Sequence, residues 1–339
     1  MRVVQEINYS DWSNYVYNHP EGNIFQSPEM YQIYLQTKLY EPIFLALVND
    51  ANEIIATLLS VVQREYTTPM SSLTARSVIW GGPLVKNDDD KALDIILDEY
   101  NKIACKKALY SEFRNLWNTS DKIEIFARHG YLYNDHLNYI IDLSEGKNNL
   151  FSKLSSSKRR QIKKAQDQEH AKIKITEKES DVIEFYQLLS TYYSQFVKKP
   201  LPPLEYFRQI FFTLVQKQTA KIFTVIHEGA IIGGMICPLS CNYAKKTIYE
   251  LYICGSRAHK SFFPSVLATW APIEWGAENN INYFDFMGAG KPNEYYGVRE
   301  FKEKFGGTLV NYGRFMLIHH PAKYKLAKAG FKLWQHMKK

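Results

Sequence analysis

The hydrophobic pattern alternates between two periods along the chain. Ile43–Val48 and Ile54–Val62 are β-rich runs separated by the turn-forming NDANE segment, which predicts a hairpin. Ser77–Trp80 reads as a further strand, stopped by Gly81-Gly82-Pro83. Helices are predicted over Ser27–Leu39 and Lys91–Ala108, a strand over Tyr110–Leu116, and a short run over Ile123–Ala127 before the turn at Gly130. The same order returns later. Ile183–Phe196 has an amphipathic helical pattern, Lys198–Pro203 is a proline-rich connection, and Tyr206–Gln216 is helical again. Ile222–Ile226 and Ile231–Leu239 flank a turn near Glu228-Gly229. Thr247–Cys254 reads as a strand, Phe263–Asn279 as a helix and Tyr283–Met287 as a strand.

Laid over one another, the halves form a weak repeat of hairpin, strand, helix and strand. Each strand–helix–strand crossover can bury one face of a mixed sheet. The expected fold class is therefore α/β (α+β mixed), with two small domains over residues 1–150 and 151–320 and a basic amphipathic helix over 321–339. A length of 339 residues agrees, at about 150 residues per domain. With 45% hydrophobic and 23% charged residues, the composition excludes wholesale disorder.

Charge changes the picture. Residues 1–150 hold 13 Lys and Arg against 20 Asp and Glu, a net −7; residues 151–339 hold 29 against 15, a net +14. The basic half is expected to face an anionic partner such as phosphate, RNA or a membrane surface. Within it, Lys158, Arg159, Arg160, Lys163 and Lys164 fall in seven positions. On a helix several of these cations occupy neighbouring turns, and Ser155–Ser157 are placed to cap its start. That makes a candidate phosphate cradle, although the segment is not a Walker loop. The tail His319–Lys339 has six lysines and no acid, with Leu326, Ala329, Gly330, Leu333, Trp334 and Met337 on an interrupted apolar face. It can lie on an anionic membrane or pack on its own domain.

Other classes lose support. The apolar stretch Ala230–Leu239 is too short to cross a bilayer, and the N-terminus lacks a signal peptide's apolar run. A cytoplasmic protein is expected, with the inner membrane face as a further location. Four cysteines make neither a disulfide framework nor a CxxC pair, and the histidines show no metal-ligand spacing, so no metal is expected.

The sharpest motif is YFDFMGAGKPNEYYGVREFKEKFGG, Tyr283–Gly307. Alternation along Tyr283–Met287 puts Tyr283, Asp285 and Met287 on one face and Phe284 and Phe286 on the other. Gly288 and Gly290 allow a close bend. A short helix over Val298–Phe305 would bury Val298, Phe301 and Phe305, with Lys302 beside that face, and Gly306-Gly307 would end it. With Gly81-Gly82-Pro83 and the Lys158–Ala165 run KRRQIKKA, this motif resembles the Fem-type aminoacyltransferases, which build peptide bridges in bacterial cell walls. The resemblance covers most of residues 20–315 and implies tandem GNAT-like domains.

It also implies site residues. A lysine directly after phenylalanine contributes to the reacting site in that family, which here gives Phe301-Lys302, with Lys302 stabilising developing negative charge. Asp285 is a candidate for orienting the acceptor amine or moving a proton, and Glu250 for a base on the preceding strand. Tyr295 and Tyr296 are candidates for stacking on a sugar or donating a hydrogen bond. Arg299 is a candidate contact for an anionic substrate, as are Arg159, Arg160, Lys163 and Lys164 for tRNA or pyrophosphate. The implied donor is aminoacyl-tRNA, with no bound cofactor; the implied acceptor is a muropeptide, lipid-linked or nucleotide-sugar precursor. Gly255–Val266 lacks the Q/R-x-x-G-x-G/A segment of acetyl-CoA-dependent GNAT domains. An acyl-CoA-dependent N-acyltransferase of amino sugars or polysaccharide precursors is the alternative. A non-catalytic RNA-binding or membrane-associated protein is a further one.

Overall fold

A computed structural model describes residues 1–65, 69–167, 171–242 and 245–337. The chain begins with β1 (Arg2–Val4), α1 (Tyr9–Asn18), α2 (Pro28–Leu35), β2 (Tyr40–Val48), β3 (Ile54–Gln63), β4 (Arg76–Trp80) and β5 (Leu84–Val85). Next come α3 (Asp90–Lys107), β6 (Tyr110–Arg114), α4 (Ile123–Arg128), β7 (Leu132–Asn134), β8 (Leu137–Asp142), α5 (Lys147–Lys153) and α6 (Ser156–Asp167). They are followed by β9 (Lys172–Ile175), α7 (Glu179–Tyr192), α8 (Leu204–Ile210), β10 (Ala220–His227), β11 (Ala230–Cys241), β12 (Lys246–Tyr249) and β13 (Tyr252–Gly255). The last are α9 (Pro264–Glu278), β14 (Tyr283–Asp285), α10 (Gly297–Glu303), β15 (Thr308–Asn311), β16 (Arg314–Ile318) and α11 (Pro321–Met337).

Two compact units result, each a mixed sheet flanked by helices, as the hydrophobic pattern predicts. The first contains Met1–Asp135 and Tyr312–Lys339; the second contains His136–Asn311. The expected boundary at 150/151 therefore moves to 135/136, and the stretch from 312 onward returns to the first unit. The reason lies in the strands. In the first sheet the order is β1-β2-β3-β4-β6-β16-β7, with β16 antiparallel to both β6 and β7. The second sheet runs β15-β8-β14-β12-β11-β10-β9, with β8 antiparallel to both β14 and β15. Each half thus supplies one strand to the other half's sheet, at the same place in the order. β4 and β6 are parallel across the α3 crossover, as β12 and β14 are across α9.

Local chemistry explains most boundaries. Ser27 caps α2 with Pro28 at its first position, and Asp89 caps α3 through the Lys91 and Ala92 amides. Ile123–Arg128 is helical, not extended, and buries Ile125 and Phe126. Phe126 stacks on Phe315 of β16 at 3.9 Å in a core with Leu45, Leu58, Ile96 and Phe113. In the second unit Met235, Ile248, Trp270, Phe284 and Phe286 form the core. The helices predicted over Ile183–Phe196 and Tyr206–Gln216 each end in a π-turn, at Tyr193–Val197 and Phe211–Val215. Val298, expected inside, is 42% exposed; Lys302 is the residue that α10 buries.

Helix α11 packs at its start on the first unit, where the Tyr324 ring meets Tyr110 edge-on at 5.5 Å. Leu326 is exposed. The expected apolar positions Leu333, Trp334 and Met337 have side chains outside the described residues, as do Lys338 and Lys339. Among the described residues no helix is long and apolar enough to cross a membrane.

Candidate functional site

The predicted strand Thr247–Cys254 is broken in the second unit. Along β11, Leu239 pairs with Ile248 and Ile236 with Tyr252, so three steps on β11 face four on its partner. The extra residue makes a bulge at Glu250-Leu251, which separates β12 from β13 and redirects the Glu250 side chain. Glu250 keeps its place beside β14 through its own amide, which donates to the Asp285 carbonyl at 2.9 Å.

Three residues from separate segments converge at this break. The Lys302 ammonium lies 2.8 Å from Glu250 Oε1, with each side chain 7% exposed. It also donates to the carbonyls of Phe286 at 2.7 Å and Gly288 at 2.8 Å. An ammonium has three hydrogens, and all three are taken. Glu250 Oε2, by contrast, is buried without a hydrogen-bond partner. Burial raises the Glu250 carboxyl above its ordinary range, and the Lys302 charge pulls back part of that rise. Asp285 is also raised, to about 6, chiefly by burial, while its bonds to Asn138 and the Met287 amide oppose the shift. Its Oδ1 accepts from Asn138 Nδ2 at 2.7 Å and from the Met287 amide at 2.5 Å. Asn138 in turn accepts from the Gly288 and Tyr139 amides through Oδ1. The site therefore pairs an anchored ammonium with two carboxyls whose proton affinity is raised.

The loop after β14 is held from α10. Arg299 donates to the carbonyls of Ala289, Lys291, Pro292 and Glu294, so its guanidinium clamps the loop. Gly290, at φ +77, gives the Tyr296 ring room to pack; a Cβ there would come within 2.9 Å of it. Tyr295 is 86% exposed and Tyr296 is 39% exposed. An aromatic group lies on the other flank, with Tyr252 against Tyr193, Tyr206 and Phe207. Burial, with a smaller push from Glu250, raises the Tyr193 hydroxyl well above its usual value and keeps it protonated. Cys237, fully buried, is raised by burial and by the same carboxylate.

The basic run divides once folded. Arg159 is spent on the carbonyls of Ser152 and Leu154, both at 2.6 Å, which cap the end of α5. Lys158 is buried over the rings of Phe301 and Phe305, at 4.3 and 5.4 Å, and burial with Lys304 lowers its pKa to about 8. Phe301 is thus a packing partner of Lys158. Arg160, Lys163 and Lys164 remain exposed on α6. Among the described residues no cluster of His, Cys, Asp and Glu is placed to hold a metal.

Asn138, Tyr193 and Tyr252 escape a reading of the sequence. Asn138 is placed by the pairing of Leu137–Asp142, whose partners lie near residues 285 and 310.

Residues 152–303, all inside the second unit, match the acetyltransferase (GNAT) domain family. No curated protein sequence matches the chain significantly. A solved structure of FemX is similar over 96% of this chain and 99% of its own, at 15% identity and a TM-score of 0.71. The C-terminal domain of a putative lysylphosphatidylglycerol synthetase from Agrobacterium fabrum is similar over 95% and 94%, at 12% identity and a TM-score of 0.58. A tandem GNAT protein from the clavulanic acid biosynthesis pathway is similar over 94% and 98%, at 9% identity and a TM-score of 0.58. At these identities the likenesses speak for the fold. The two mixed α/β sheets, each flanked by helices, are consistent with tandem GNAT-like domains, and the family match in the second unit supports an acyltransferase-type activity in general.

Proposed function

We propose that the second unit transfers an aminoacyl group from an activated ester to a primary amine, with Glu250 as the proton acceptor. The observation that carries this reading is the partnerless Glu250 Oε2, held at a sheet bulge by Lys302. The acceptor nitrogen attacks the acyl carbonyl carbon and loses a proton to Glu250. The tetrahedral intermediate then collapses with loss of the donor oxygen as an alcohol, which takes that proton. Lys302 acts as a positioning residue that fixes Glu250, and the protonated Tyr193 is a hydrogen-bond donor on the same side. Asp285, locked on Asn138, shapes the loop beside the base.

An aminoacyl-tRNA donor is favoured over acyl-CoA by the segment before α9. Acetyl-CoA-dependent GNAT domains carry a Gly-rich Q/R-x-x-G-x-G/A segment there, and a Gly-rich loop opening a helix offers backbone amides to phosphates. Here the amides of Ser256, Lys260, Phe262 and Phe263 are bonded to Ile232, Arg257, His259 and Lys260 carbonyls. Pro264, which opens the helix, has no amide hydrogen to give. Exposed Arg160, Lys163 and Lys164 supply charge for tRNA phosphates. A cell-envelope amine, such as a muropeptide precursor, is the acceptor that the Fem resemblance brings with it.

The test is a donor-by-acceptor assay read by product mass. Aminoacyl-tRNAs and acyl-CoAs are offered against muropeptides and amino sugars. Aminoacyl product with tRNA donors, lost in Glu250→Gln, is expected. Product only with acyl-CoA would establish the alternative donor, and wild-type turnover in Glu250→Gln would remove the base assignment.

A further inference from the structure

The first unit contains a cavity of about 620 Å³ that the proposed acyl transfer leaves unused. Small-molecule sites span roughly 300–1,000 Å³. It lies beside the first unit's counterparts of the Glu250–Lys302 pair, with Gly82, Pro83 and Phe126 in its lining. Just past the parallel β4–β6 pairing, the Gly81 amide donates to the Arg114 carbonyl at 3.0 Å, as the Glu250 amide does to Asp285 at 2.9 Å. Gly81 therefore stands where Glu250 stands. Gly130 and Gly306, both at φ +82, end α4 and α10; four residues before them are Phe126 and Lys302. The base and its ammonium have become glycine and phenylalanine, and Phe126 lines the cavity. Neither position carries a group that can take or hold a proton.

Several neutral groups on the walls are able to hydrogen-bond. Thr119 Oγ1 is buried in the wall without a partner. Such a hydroxyl costs free energy unless something binds it. Asn115 uses its amide nitrogen on the Tyr312 carbonyl, and Asn118 uses its oxygen on the Ser120 amide, so each keeps its other end. Trp117 and Tyr15 give aromatic surface; the Tyr15 hydroxyl is fixed on the Ile55 and Leu84 carbonyls. His19 is held neutral by burial, with Nε2 at 2.9 Å from the Val85 carbonyl.

The charged lining residues are Glu21, Asp88 and Asp121 against Lys86 and Lys122, a balance that serves an anion poorly. The Asp89 carboxylate already occupies the start of α3. Asp88 and Asp121 surround Lys122 at 2.8 and 3.1 Å, and Glu21 adds another carboxylate to the wall. We propose that this cavity is a non-catalytic binding site for an uncharged, polyhydroxylated ring of sugar size, resting on aromatic surface and held by Thr119 and the asparagine amides.

The experiment uses the full chain, with glucose, N-acetylglucosamine and glucose 6-phosphate as probes, followed by saturation-transfer NMR and calorimetry. A neutral sugar should bind, with the phosphorylated one at least ~10-fold weaker. Thr119→Val should raise the melting temperature of the free protein while weakening sugar binding at least ~10-fold, opposite signs that a structural role would not give. Trp117→Ala should also weaken binding; if it does not fold, exposed Asn87→Ala, a rim position of the same cavity, is the second variant. Glu250→Gln should leave sugar binding unchanged. No binding of either neutral sugar would overturn the proposal. So would tighter binding of the phosphate, or loss of binding in Glu250→Gln with Thr119→Val unaffected.

Discussion

The Lys302 ammonium shows how far a single buried charge decides what a mutation reports. The Fem resemblance makes it a stabiliser of developing negative charge, a role whose loss would affect turnover more than stability. Its three hydrogens are instead taken by Glu250, Phe286 and Gly288. Lys302→Ala leaves a buried carboxylate without its partner, which costs about 3–5 kcal/mol. The expected result is loss of stability in the second unit together with lost activity, seen as an earlier urea transition. Glu250→Gln keeps an oxygen for Lys302 and should lower kcat/KM by about 10²–10⁴-fold. Because burial raises Glu250, the acid limb of the wild-type kcat/KM profile should lie above the ordinary glutamate value of 4.5. Asp285 has a folded value of about 6, above its ordinary 3.8. Its contribution to stability is therefore complete below 3.8 and is lost as pH rises through about 6, so Asp285→Asn should flatten that part of the curve. The convergence of Glu250, Asp285 and Lys302 was readable as three separate candidates. Their division of roles was not, because it depends on which hydrogens are already taken.

At the scale of elements, the hairpins, crossover helices and the β14 strand were legible from periodicity and capping. The short pieces were not. Arg314–Ile318 is too brief for a periodic signal, and what makes it and Leu137–Asp142 strands is a partner far along the chain. The same holds for Ile123–Arg128, whose β-branched and aromatic residues suit either period until Phe126 finds Phe315. The β6–β16 contact is fastened by charge: Glu112 sits between Arg114 at 2.9 Å and Arg314 at 2.8 Å. These arginines overcome burial and hold the Glu112 carboxyl well below the ordinary value of 4.5. The pair's stabilisation is present above that value and lost as pH falls. Glu112→Gln strands two arginines and should cost about 3 kcal/mol or more at pH 7. Urea melts at pH 7 and pH 4 check this: the gap between wild type and variant should narrow in acid.

For the whole molecule, charge is distributed by task. Neutralising Arg160, Lys163 and Lys164 should reduce the salt slope of tRNA binding by about 0.7–0.9 for each phosphate no longer neutralised, with the fold unchanged by circular dichroism. Arg159→Gln tests something else, the end of α5, and should act on stability. Deleting the lysine-rich segment from residue 325 onward should weaken binding to anionic vesicles in a sedimentation assay, leaving Tyr324 on Tyr110. The exchanged strands have a further consequence, which concerns the ribosome. The first unit's sheet cannot join β6 to β7 until residues 314–318 have been made, well after Asp135. At ~5–20 residues per second, the nascent N-terminal part waits on the order of 10–40 s with one edge of β6 uncovered and Phe126 lacking Phe315. The half translated first is therefore finished last, and during that wait its uncovered strand edge and unpacked Phe126 are the features that favour aggregation.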